Sequence, residues 1–203
     1  MVDTYRTLAS PGRAELKRSG SRFLAQALPV DTEAAAASRI DAVRTERYQA
    51  THHCTAYRLQ PSGTTFRYND DGEPTGTAGP PILQQIDGRD LTNTLVIVTR
   101  YYGGTKLGTG GLVRAYGDAA AAALDAAAAT EAVVRTPIAV TFAYSDTTAA
   151  EQVVRQFDTA RLNETYTDVT RWVVGVRPSR ADAFVEAMTN ALGGRATIVR
   201  DPS

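Results

Sequence analysis

The run Arg100-Tyr-Tyr-Gly-Gly-Thr-Lys-Leu-Gly-Thr-Gly-Gly-Leu-Val-Arg-Ala-Tyr116 constrains the fold more than any other part of this chain. It packs five glycines into nine positions, directly after the apolar stretch Leu95-Val-Ile-Val-Thr99 and directly before a long alanine-rich segment. Glycine gives up more backbone entropy on folding than any other residue. Such density therefore belongs to a loop that needs positive φ or close backbone approach. The β-branched run reads as a strand covered on both faces, and the alanines read as a helix over residues 111–129. A strand–loop–helix of this kind leaves unpaired N–H groups and the positive end of a helix dipole facing outward, with Lys106 and Arg114 adding full charges. That combination binds anions.

Neither standard nucleotide motif is present. A P-loop places its lysine after the second glycine, whereas Lys106 lies between glycine pairs. The dinucleotide pattern fails because Gly108-x-Gly110 is followed by Val113. Glycines that only build a tight turn against a sheet explain the spacing equally well.

The sequence of 203 residues balances 22 basic against 22 acidic side chains, which argues against a dedicated non-specific nucleic-acid binder. Residues 1–67 nevertheless carry ten Arg or Lys against six acids, so a modest basic surface fits. There is no apolar run of eighteen residues, and no membrane span is expected. The first residues lack a basic region followed by an apolar one, and Cys54 is the single cysteine. Both point to a cytoplasmic location without disulfides.

Periodicity and turn residues organise the rest. Glu15–Leu28 reads as one or two strands broken at Ser19-Gly20, followed by a helix capped by Asp31 and running to Arg47. Residues 53–59 and 64–68 read as a hairpin across Gln60-Pro-Ser-Gly63. Gly79-Pro-Pro81 opens a short helix. Residues 133–138 read as a further strand. Beyond Pro137 the pattern restarts as βαββαβ, with strands at 140–144, 160–166, 169–176 and 196–200. The expected division is a larger α/β two-layer domain over residues 1–137 and a ferredoxin-like domain over 138–203.

Three groups of side chains are chemically suggestive. His52 and Cys54 share one side of a strand and His53 takes the other. With only these three His and Cys in the chain, a zinc site lacks ligands. Asp70, Asp71 and Glu73 surround Gly72 and suit either a polar turn or a divalent-ion and acid–base site. Tyr101, Tyr102 and Tyr116 flank the glycine loop, where aromatics stack on the bases of single-stranded RNA or simply pack.

Three blocks resemble the IMPACT/YigZ family: the glycine run, His52-His-Cys-Thr-Ala56, and Asn69-Asp-Asp-Gly-Glu-Pro-Thr-Gly-Thr-Ala-Gly79. Residues 140–200 resemble the C-terminal domain of its bacterial branch. Lys106 stands where many relatives are apolar, so its role is not inherited. The resemblance implies a ribosomal-protein-domain-like fold followed by a domain like domain V of elongation factor G. It also implies a non-enzymatic, translation-associated regulator with nucleic acid, the ribosome or a protein of the translation machinery as partner, and no cofactor. Eukaryotic members regulate a translation-initiation kinase by occupying its activator protein, and they carry an RWD-type domain not contained in these residues, so that role is not carried over. In this reading Arg100, Gly103, Gly104, Lys106, Gly108, Gly110, Gly111 and Arg114 hold phosphate. Tyr101 and Tyr102 contact bases or a partner, and His52, His53, Asp70, Asp71 and Glu73 line the same cleft. The alternative is an enzyme acting on a phosphorylated small molecule, with the loop as its cradle. Oligomeric state is not legible.

Overall fold

The computed structural model describes residues 2–202, with eleven strands and five α-helices among them. The chain is mixed α+β and divides into two compact units, Tyr5–Ala132 and Val133–Ser203 with Met1–Thr4.

In the first unit, β1 (Thr4–Ser10) pairs with β7 (Ala128–Val133) as a small separate sheet. The main sheet holds β2 (Gly12–Arg18), β3 (Ser21–Pro29), β4 (His52–Leu59), β5 (Thr65–Asn69) and β6 (Thr94–Tyr101). Its order is β2-β3-β6-β4-β5, and every neighbouring pair is antiparallel. The unbroken apolar run of β6 has the expected explanation. Val96 and Val98 face α2 (Gly79–Asp87) and α3 (Gly108–Asp125), while Leu95 and Ile97 face α1 (Glu33–Glu46). The small side chains Ala115, Ala119, Ala120 and Ala123 let α3 lie close on the sheet, and all are fully buried.

α2 and α3 run side by side in the same direction. Gly117 sits against Pro81 and Gln85, and one turn further Arg89 bonds the Ala121 carbonyl and Asp125. Their N-termini therefore share one end of the unit, and that end carries the glycine loop.

The second unit contains β8 (Thr136–Phe142), α4 (Thr147–Gln156), β9 (Thr159–Tyr166), β10 (Thr170–Val176), α5 (Ala181–Ala191) and β11 (Thr197–Arg200). Its sheet order β11-β8-β10-β9, antiparallel throughout, is the split βαβ arrangement. One face buries Ile138, Val140, Trp172, Val174, Phe184 and Met188.

Several local expectations shift. Thr32, not Asp31, caps α1, its hydroxyl accepting from the Ala35 amide at 3.1 Å. α3 starts at Gly108 and stops at Asp125, because the following alanines pair with β1 and tertiary pairing overrides helix propensity. The strands expected at 133–138 and 140–144 are Ala128–Val133 and Thr136–Phe142, and β1 was not anticipated.

Candidate functional site

The glycine loop leaves β6 under tight backbone control. Gly103 packs so closely on Gly20 that a Cβ there would stand 1.9 Å from the Gly20 carbonyl carbon. The Gly103 amide donates to Ser21 Oγ at 3.2 Å, and the Tyr102 amide to Thr51 Oγ1 at 3.2 Å. Beyond that stem the chain turns through Gly104 and Gly108, with φ of 86° and 71°, a region open to glycine at no steric cost. Residues 102–106 and 108–110 are exposed.

The two neighbouring helix ends differ in one respect. At α2, the Asp70 carboxylate already sits on the amides. Oδ1 accepts from Ala78 at 3.0 Å and Gly79 at 2.8 Å, and Oδ2 from Gly76 at 2.8 Å. At α3 no side chain caps the helix, and its first four N–H groups have no intrahelical acceptor. Lys106 and Arg114 are both exposed. Arg114 folds back so that Nη1 lies 3.7 Å from where a Gly110 Cβ would stand. Carboxylates pair with Arg18, Arg22, Arg44 and Arg89 in this unit, but none pairs with Lys106 or Arg114 among the described residues.

Arg100 requires a correction. It is buried, with Nη1 donating to Glu73 Oε1 at 2.6 Å and Nη2 to Ser21 Oγ at 3.2 Å. Its guanidinium lies between the rings of Phe23 and Tyr102, 5.4 and 5.5 Å from their centroids. A charge so desolvated needs its internal partner, so Arg100 supports the loop from beneath and does not hold a ligand. Tyr116 is likewise internal. It is fully buried, donates to Glu73 Oε1 at 2.7 Å, and packs edge-on against Phe23. Burial pushes its hydroxyl pKa far upward. Tyr101 is half-buried beside Arg22, so among the three tyrosines Tyr102 alone is exposed.

The expected single cleft of His52, His53, Asp70, Asp71 and Glu73 is divided by the sheet. His52 lies on the helix side, where Nδ1 donates to the Asp71 carbonyl at 2.8 Å; a carbonyl only accepts, which fixes the proton on Nδ1. Nε2 then faces Glu73 Oε1 at 3.8 Å. His53 points to the opposite face, toward α1. Desolvation lowers its pKa, partly offset by Asp71, and its Nε2 is buried without a partner. Asp71 binds Arg44 and the His53 amide, each at 2.6 Å. Asp70, Asp71 and Glu73 are thus each engaged by the protein's own groups. Among the described residues no three His, Cys, Asp or Glu side chains converge as a metal requires. The Cys54 thiol donates to the Asp70 carbonyl at 3.0 Å, and burial pushes its pKa up to about 12, which removes it as a nucleophile.

Sequence reasoning missed Ser21 and Thr51. Only register could reveal them: His52 pairs with Arg100, and Arg22 with Tyr101, which brings their neighbours under the loop.

The chain is similar to known proteins in sequence and fold. The Impact N-terminal domain model matches residues 19–124, and a domain of unknown function, DUF1949, matches residues 140–195. IMPACT family member YvyE of Bacillus subtilis is 32% identical over 198 residues, covering 98% of this chain and 91% of its own. IMPACT family member YigZ of Escherichia coli is 36% identical over 154 residues, covering 75% and 74%. A solved crystal structure described as a hypothetical protein is 29% identical and superposes with a TM-score of 0.76, each chain covered completely. Among the described residues no helix is long and apolar enough to cross a membrane. On the extent of these matches, the chain belongs to the IMPACT family.

Proposed function

We propose that this chain is a non-enzymatic binding protein acting around translation, and that it takes single-stranded RNA by its phosphates at the glycine loop. The observation that carries the reading is the uncapped start of α3, beside an α2 whose equivalent amides hold a carboxylate. An anion of the same kind completes α3. Lys106 and Arg114 add charge around these amides, and Tyr102, 48% exposed, offers a ring for stacking. Gly104, Gly108, Gly110 and Gly111 keep the backbone accessible, while Gly103 and Arg100 fix the stem. The family resemblance supports the association with translation.

Filter binding to a single-stranded ribosomal RNA fragment at two salt concentrations tests this. About three phosphate contacts lower log K by roughly 2 per tenfold rise in salt. Absent or salt-independent binding, with thermal stabilisation by a sugar phosphate or nucleotide instead, replaces RNA with a small phosphorylated ligand.

A further inference from the structure

Thr109, Val113 and Gly117 recur at four-residue spacing on α3 and so form one stripe. Gly117 rests against Pro81 and Gln85. Val113 borders a groove of about 370 Å³, with Gly76, Pro80, Pro81, Gln84 and Asp87 opposite. The groove begins about 4.5 Å along the helix axis from Gly110, within the span of one nucleotide. Two glycines stand nearby. A Cβ at Gly76 meets nothing within 4 Å, although its φ of 80° already favours glycine, and one at Gly110 meets only the end of Arg114. Gly110 has no positive φ. Neither backbone conformation nor packing demands glycine there, and its missing side chain leaves the passage from the α3 amides to the groove open.

The groove has the chemistry of a base site. Pro80, Pro81 and Val113 give apolar walls, and Val113 is 39% exposed. Gln84 is exposed at the rim, while the next amide, Gln85, is engaged by Arg89. Asp87 bonds Arg58 through Oδ1, which leaves Oδ2 to accept from an amino group. A glutamine amide pairs two-point with adenine, accepting from its amino group and donating to a ring nitrogen. Uracil also pairs two-point with a glutamine amide, but its single ring N–H cannot serve Gln84 and Asp87 together, whereas the adenine amino group has two hydrogens to give.

We propose that this groove receives the base of the nucleotide whose phosphate sits on α3, and that it prefers adenine. The proposal rests on the phosphate reading of that helix end. Titrating the full chain with short fluorescent oligo(rA) and oligo(rU) is expected to show oligo(rA) binding about tenfold tighter. Gln84→Leu removes both hydrogen bonds and Val113→Trp fills the groove. Each is expected to bring the ratio near one while leaving the salt dependence intact, with melting curves confirming that at least one variant is folded. Equal binding of the two oligomers by the unmodified chain, with a steep salt dependence, overturns the base site alone, as does a ratio that neither variant changes. Failure of both oligomers to bind at low salt overturns the phosphate reading and the base site together.

Discussion

Arg100 donates to Glu73 at 2.6 Å with 6% and 4% of the two side chains exposed. This buried pair links β6, the loop before α2 and, through Tyr116, the helix that leaves the glycine loop. Removing one member strands the other charge in a desolvated site. Glu73→Ala is expected to destabilise the first unit by about 3–5 kcal/mol, read from urea unfolding. A loss below about 1 kcal/mol would mean that water reaches Arg100 easily.

Lys106 and Arg114 are exposed and serve no internal partner among the described residues. Replacing both by alanine should leave the melting temperature nearly unchanged. RNA affinity should fall, and the salt dependence should flatten by about 1.4 per tenfold rise in salt for two lost phosphate contacts. An unchanged slope would place the phosphate contacts elsewhere.

Two glycines of the loop should respond in opposite ways. Gly103→Ala forces a Cβ to within 1.9 Å of the Gly20 backbone, at a cost of at least about 1–3 kcal/mol. Gly110→Ala meets only the flexible end of Arg114 and gains up to about 1 kcal/mol of helix propensity. The second variant should melt no lower than the parent yet bind RNA more weakly. Calorimetry paired with the titration distinguishes the two.

Cys54 should resist thiol reagents in the native protein. With its pKa pushed up to about 12 by burial, well under one thiol in a thousand is ionised at pH 8. Ellman's reagent should report labelling only as fast as the chain opens, and full labelling in denaturant. Rapid native labelling would contradict the packing of β4 under α2.

His53 sets a pH dependence whose sign follows from its burial. Desolvation holds its folded pKa below the ordinary 6.5, so the unfolded chain binds the proton more readily. Stability is therefore retained above pH 6.5 and declines as pH falls below it, until the folded pKa is reached. A His53→Asn variant should lose less stability than the parent between pH 7 and 5. Parallel unfolding curves for the two would exclude this origin.

Much of the architecture was legible without coordinates because its causes are local. The unbroken apolar, β-branched run marked β6, glycine density marked the loop after it, and restarting periodicity marked the βαββαβ unit. Spacing alone sets Lys106, Arg114 and Tyr102 beside that loop, and all three are exposed, whereas Arg100 and Tyr101, read in the same way, are not. Where α3 starts and ends was less legible, since an alanine run suits a helix until a distant strand pairs with part of it.

The tertiary structure decided which charges face outward. Arg100 and Arg114 look alike in sequence, yet antiparallel pairing with β3 and β4 sets Arg100 beneath the sheet end, where Glu73 from 27 residues away neutralises it. Asp70 and Glu73 read as a polar turn or an ion site until the fold gives one the start of α2 and the other a buried cation on β6. Sequence alone determined that a strand, a glycine-rich turn and a helix follow one another, because propensity acts over neighbouring residues. Which arginine stayed free depended on contacts between segments far apart in the chain, and those form only when the core does.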